Sequence, residues 1–468
     1  MATITPARPA WAHSSGPRQR AWLPHATLAT AATLTYLLIA VARWHRAGAA
    51  SWDLGIFTEA VKGWATHAAP TVDIKGPGFN QLGDHWSPIL ALLAPLWWLW
   101  PSPLMLLAAQ CALFGWSVGV VSATAARFVG RGNGLLIGLA YGLSFGLQNA
   151  IDAEFHEIAF AVPLVAVACR QLLLGRWERA VWWSLPLLLV KEDLGLTVAV
   201  VGVLAWWLGR RRILGTAIVA AGLTGTILEV TVLIPAFNPH HRYDYWHLTP
   251  HGTHGLWWTI GWEATQLVKW QTLGWTFGIT AFVALRSPLT LATLPTLAWR
   301  MLGTNDQYWI PYWHYNAVLM PIVFLGAVDT LDRWRRSRRP RLRGFTLHGP
   351  TVIATIGVAA CFAWPLPAAL LAEPATWKPA PDGKAVKVAV QMVPAGVTVE
   401  SWQDGLAAFA AKDDAYWIGG DPRPPQYALL VPASGNVTGM DRLEESKHPG
   451  TRYRVLFARS GVALLELQ

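Results

Sequence analysis

The feature that most constrains this chain is how its charges are sorted along a series of apolar segments. Acids, histidines and amides gather at one set of turns, and arginine clusters gather at the alternate set. A run approaching roughly 20 apolar residues is long enough to cross a hydrocarbon core. Such runs, some of them short, recur near residues 26–42, 103–126, 134–151, 157–174, 180–190, 194–208, 213–235, 273–285, 287–302, 313–331 and 350–371. With 53% of its 468 residues hydrophobic and only 14% charged, the chain is too apolar for a soluble protein and reads as an all-α polytopic membrane protein.

The net charge of +10 would suggest nucleic acid in a soluble chain. Here the excess sits in loops such as Arg333, Arg335, Arg336, Arg338, Arg339, Arg341 and Arg343, which read as cytoplasmic signals and exclude a nucleic-acid partner. Arg8, Arg18 and Arg20 precede the first segment, so the tail 1–25 is expected inside. Ala40-Val41-Ala42 resembles a signal-peptidase site, but the apolar run is long and more spans follow, so the segment is read as retained. Cys111, Cys169 and Cys361 all lie in apolar runs and show no disulfide framework.

The stretch Trp86–Trp100 decides the topology. If it crossed, the turns at Arg127 and Arg131, at Arg210–Arg212 and at the seven-arginine loop would all face outward; as a re-entrant or interfacial helix it leaves them all inside. The second reading gives about eleven spans within 26–371, a first outer loop at 44–102, an inner N-terminus and an outer C-terminus in a multi-pass plasma-membrane protein. Arg43, Arg46, Arg242, Lys269 and Arg300 remain near the outer side as candidate anion ligands. Beyond the Pro-rich stretch Pro365–Pro381, the tail 372–468 reads as a small extracytoplasmic α/β domain. Its expected strands are VKVAVQMV, VTVES, YALLVP, YRVLFA and VALLEL, with a helix at Gln403–Lys412.

On this topology the outer face collects Asp53, Glu59, Asp73, Asp84 and His85 in the first loop, then Asp152, Glu154, His156 and Glu157. It also collects Lys191-Glu192-Asp193 and the histidine-rich loop His240, His241, His247, His251 and His254, followed by Asn305, Asp306, His314 and Tyr315. Ionisable groups at membrane depth cost about 2.5–3.5 kcal/mol each on insertion scales, so a cluster of them implies partners, a metal or a water-filled cavity. A polar site at the outer boundary accounts for the clustering. The bland readings also stand: Lys191-Glu192-Asp193 as a charged hairpin turn, Glu154 as an acid favoured at a helix start, and the histidine loop, which lacks metal-ligand spacing, as a mobile surface segment.

The segments SWDLGIF (51–57), LGDHWSPILALLAPL (82–96), EFHEIAFAVPL (154–164), LLLVKEDLGL (187–196) and HYNAVLMPIVFLGA (314–327) together resemble the domain-of-unknown-function 2079 family of predicted membrane proteins. The tail segment VPAGVTVESWQDGLAAFAAKDDAYWI is similar to the outer domain of such proteins. The family's architecture in turn resembles the C-type glycosyltransferase (GT-C) fold, whose sugar donor is usually a polyprenyl-phosphate sugar presented at the outer leaflet.

That resemblance implies an inverting membrane glycosyltransferase acting on an extracytoplasmic glycan, lipid or protein acceptor. Asp53 takes the place of the acceptor-activating base, and Asp152 or Glu154 falls near the fold's second acidic position; Asp53, Asp84 and Glu154 are the candidate catalytic residues. His85, His156, Lys191, Glu192, Asp193, Arg300, His314 and Tyr315 are expected to bind substrate, Lys191 and Arg300 by balancing the lipid phosphate. Trp52, Trp86 and Tyr315 could stack on sugar rings. No DxD or EE pair stands in the first loop; a divalent cation is left open as cofactor and its ligands are unassigned. A transporter or lipid flippase, and a non-enzymatic assembly or sensor protein, are the rival readings.

Overall fold

The computed structural model describes residues 22–47, 52–67, 69–245, 261–262, 264–421 and 423–468. Each of the eleven apolar segments contains helix, several in two pieces. Among the described residues, six helices are long and apolar enough to cross a membrane: Leu23–Arg46, Pro103–Val129, Arg131–Asp152, Arg212–Phe237, His314–Arg335 and Pro340–Ala363. Ile158–Leu173 and Leu194–Trp207 are apolar but shorter, so length alone does not establish the expected count of about eleven. Arg8, Arg18, Arg20, His247, His251 and His254 lie outside the described residues.

Two contacts fix how the first helices run. His25 Nδ1 lies 2.8 Å from Ser122 Oγ, towards the end of Pro103–Val129. At its other end, the first helix places Arg43 3.2 Å from both Asp152 and Glu154. The turn carrying Arg127 and Arg131 therefore sits at the opposite end of the bundle from Asp152 and Glu154. Helices pack with small residues at their contacts, as membrane helices do. A Cβ on Gly222 would lie 2.3 Å from the Gly195 carbonyl, so only glycine lets Arg212–Leu228 approach Leu194–Trp207 this closely.

Pro88–Leu93 is a 3₁₀ helix that continues as the α-helix Ala94–Leu99. These twelve residues reach only about 20 Å, against roughly 30 Å of hydrocarbon core. Trp98 Nε1 donates to the Ala65 carbonyl at 2.9 Å, holding the segment against the loop helix Trp52–His67. That helix is itself enclosed, with Leu54, Ile56, Phe57, Ala60 and Val61 buried.

The tail forms a five-stranded sheet of order β2-β1-β3-β5-β4, where β1 is Thr398–Ser401, β2 Asp414–Trp417, β3 Tyr427–Leu430, β4 Tyr453–Arg459 and β5 Val462–Leu467. β1 pairs in parallel with β2 and β3, while β5 pairs antiparallel with β3 and β4. One expected strand is corrected: VKVAVQMV belongs to the helix Pro381–Met392. Its alternation misleads because Ala385, Val386, Ala389 and Val393 bury at helical spacing, and Pro381 and Asp382 supply a favourable helix start. The tail docks on the loop helix through Trp417 against Trp52, with ring centroids 5.7 Å apart, and through Lys62 Nζ donating to the Asp413 carbonyl at 2.8 Å.

Candidate functional site

Asp53 occupies the first turn of Trp52–His67, where the helix dipole favours a carboxylate. Its side chain is 51% exposed, and its Oδ2 lies 3.4 Å from His156 Nε2. Burial alone would raise the Asp53 carboxyl, but the hydrogen bond and charge of His156, with Lys191 behind it, outweigh that and hold it below the usual range. His156 is placed from below. Glu154 adopts a left-handed φ of 69°, its carbonyl accepts from Gln110 Nε2 at 3.0 Å, and Gln110 Oε1 accepts the His156 N–H at 3.2 Å. The buried Gln110 therefore clamps a tight turn. The His156 ring stacks on His314 at 3.6 Å.

Lys191 and Glu192 follow a 3₁₀ turn (Leu185–Leu189), and Asp193 precedes the helix Leu194–Trp207, so the three side chains fan into different partners. Lys191 Nζ pairs with the buried Glu157 at 2.7 Å. Glu192 Oε1 meets His85 Nδ1 at 2.8 Å and accepts from the Tyr243 hydroxyl at 3.0 Å, while its Oε2 accepts the Trp86 N–H. Although burial opposes it, the cation His85 and the adjacent Lys191 bring Glu192 down to about 2. Asp193 accepts from Trp299 Nε1 at 2.8 Å; burial dominates there and lifts it to about 6.

Asp84 pairs with Lys75 Nζ at 2.5 Å and accepts from the Tyr245 hydroxyl at 2.8 Å, and Tyr245 stacks on His85. This corner needs glycine at position 83, since a Cβ there would lie 2.5 Å from the Phe237 carbonyl.

Part of this network borders a cavity of about 460 Å³, which Asp53, Asp84 and His156 do not line. Its polar end is formed by His85, Lys191, Glu192, Asp193 and the hydroxyls of Tyr243, Tyr245, Tyr308 and Tyr315. Its flank is apolar, from Leu196, Ile227 and Val230, and includes part of the π-helical turn Glu229–Leu233. A smaller recess nearby joins Lys191 and Asp193 to His314 and Tyr315.

Other expected residues stand apart. Glu154 turns its carboxylate to Arg43, away from His156. Arg300 is fully buried and spends its guanidinium on the carbonyls of Tyr308 and Ile310 and on Asn316 Oδ1, so it braces the turn 303–316. Trp52 is packed on Trp417, and Lys269 donates to the Met301 carbonyl. Sequence reasoning missed Lys75, Tyr243, Tyr245 and Trp299 as members; the Tyr-Asp-Tyr pattern at 243–245 was the available signal for two of them. Around Asp53 no three carboxylate or imidazole donors converge among the described residues; the group that does so is in the tail.

A multi-span helical core with an acid at the start of its first loop helix and a small domain over that end defines a membrane protein of GT-C-like fold. The chain resembles the crystal structure of ArnT from Cupriavidus metallidurans bound to undecaprenyl phosphate, with a TM-score of 0.50 at 10% identity over 94% of this chain and 97% of that one. It resembles the apo structure of the same protein with a TM-score of 0.52 at 11% identity, over 96% and 98%. No curated protein matches the sequence significantly. Residues 47–381 match the predicted membrane protein family DUF2079, and the chain belongs to that family.

Proposed function

We propose that this protein is a membrane glycosyltransferase that moves a sugar from a polyprenyl-phosphate donor to an extracytoplasmic acceptor, with inversion. The observation that carries the reading is a two-natured cavity, whose charged and hydroxyl-rich end, with Lys191 and Tyr315 close enough to Asp53 for their charges to interact, adjoins an apolar flank. An amphipathic donor with a phosphate head and an isoprenoid tail matches that division, and the ArnT structure of similar fold holds undecaprenyl phosphate.

In this mechanism the acceptor hydroxyl gives its proton to Asp53 as its oxygen bonds to the anomeric carbon. The bond from that carbon to the phosphate oxygen breaks on the opposite face, and polyprenyl phosphate leaves. Lys191, protonated His85 and the hydroxyls of Tyr308 and Tyr315 offset the charge that develops on the phosphate. His156 keeps Asp53 ionised and aimed. With 26–371 read as the membrane unit, its N-terminus inside, and 372–468 as the outer tail, this chemistry belongs at the outer leaflet.

The test is release of polyprenyl phosphate from a panel of polyprenyl-phosphate sugars by the purified protein in proteoliposomes. Turnover of one donor, dependent on added acceptor, is expected. Saturable transport of a solute across the same vesicles with no donor consumed would replace the reading with a transporter.

A further inference from the structure

The tail contains a second constellation, remote in sequence from the cavity residues. Glu400 projects from β1, while Glu444 and His448 lie one helical turn apart at the end of the helix Met440–Lys447. Glu400 and Glu444 are fully buried and His448 nearly so. His448 Nε2 is 3.4 Å from Glu400 Oε2 and 3.7 Å from Glu444 Oε1, and the ligand atoms of all three side chains fall within 4.8 Å of one another. Among the described residues no N–H or hydroxyl donates to either Glu444 oxygen or to Glu400 Oε1, and the two carboxyl groups face each other. None of the described Lys or Arg residues forms an ion pair with either carboxylate.

Two buried carboxylates facing one imidazole are a costly arrangement, because a single cation cannot neutralise both and three oxygens lose their water without replacement. Metal bonds of about 2.0–2.2 Å place neighbouring donors roughly 3.3–3.5 Å apart in a tetrahedral site, close to the 3.4 and 3.7 Å that separate His448 from the two carboxylates. The backbone holds the donors in place. The Gly419 N–H donates to Glu400 Oε2 at 2.8 Å, and His448 is anchored by its N–H to the Glu444 carbonyl and by the Thr451 hydroxyl to its own carbonyl.

We propose that Glu400, Glu444 and His448 form a structural site for a divalent first-row transition ion, of which Zn²⁺ is the natural probe. The donor set of two oxygens and one imidazole nitrogen, without thiolate, suits that class. The ion clamps the helix Met440–Lys447 onto β1. Because Glu400 also holds Gly419, just beyond the end of β2, the clamp steadies Trp417 where it packs on Trp52 beside Asp53.

The experiment uses the full chain in detergent, stripped with a chelator, equilibrated with Zn²⁺ and desalted, with bound zinc read by elemental analysis. Wild type should retain about one equivalent more than Glu444→Gln or His448→Ala, and Zn²⁺ should raise its Tm but not theirs. Equal zinc content in wild type and both variants overturns the site. So does an absence of retained zinc in wild type, which would leave a proton shared between the two carboxyls. Should the variants fail to fold, X-ray absorption on zinc-loaded wild type decides. One imidazole in an otherwise oxygen shell supports the site, whereas sulfur or several imidazoles contradicts it.

Discussion

Asp53 and His156, 103 positions apart in the chain, meet with 3.4 Å between Oδ2 and Nε2. The imidazole is one of the groups that keep the Asp53 carboxyl low against the upward push of burial. His156→Gln should therefore raise the Asp53 pKa, so that the acidic limb of the pH profile of kcat/KM moves to higher pH. Loss of activity with an unmoved limb would reduce His156 to a packing role.

His85 supplies a pH-dependent stability term. Burial pushes its pKa down, but Glu192 and Asp84 outweigh burial and Lys191, and the folded protein holds the proton more tightly than the unfolded chain does. Unfolding then releases a proton above the unfolded value of about 6.5, so the contribution is complete below that pH and is lost as pH rises through the folded pKa. Wild-type Tm in detergent should fall over that rise, and His85→Gln should flatten the slope. An unchanged slope in the variant would assign the dependence elsewhere.

Lys191 links the cavity to the buried acid Glu157 at 2.7 Å. If it contacts the donor phosphate, Lys191→Ala weakens polyprenyl-phosphate binding about tenfold or more while acceptor preference is kept, since a charge-assisted contact contributes roughly 1.5–3 kcal/mol. Tm and lipid affinity measured on the same preparation separate this from a structural role. A large drop in Tm with unchanged affinity in the folded fraction would mean that Lys191 only neutralises Glu157.

Topology can be read with reporter fusions. Fusions after Arg212 and after Arg341 should report cytoplasm, and fusions after Gly261 and at the C-terminus should report the outside. An outside signal at Arg341 would mean that Trp86–Trp100 crosses the membrane after all.

The apolar segments and the polar turns were legible because burial and charge leave periodic marks on a sequence. Their pairings were not. Lys191 could have met Glu192 or Asp193 next to it, yet it meets Glu157, while Glu192 turns to His85; helix packing decides between such neighbours. Arg300 looked like an anion ligand because its carbonyl partners carry no signature in residue type. β2, Asp-Ala-Tyr-Trp, is too short to announce itself, and the valine-rich helix Pro381–Met392 imitates a strand over eight residues.

The most direct test of the central claim is donor turnover by Asp53→Asn, an isosteric change that removes the base and spares the shape. With the donor identified in proteoliposomes, the variant should bind the lipid and melt like wild type, yet release polyprenyl phosphate at least about a hundredfold more slowly, the low end of what a positioned general base supplies. Wild-type turnover in a purified, fully folded Asp53→Asn protein would contradict the account.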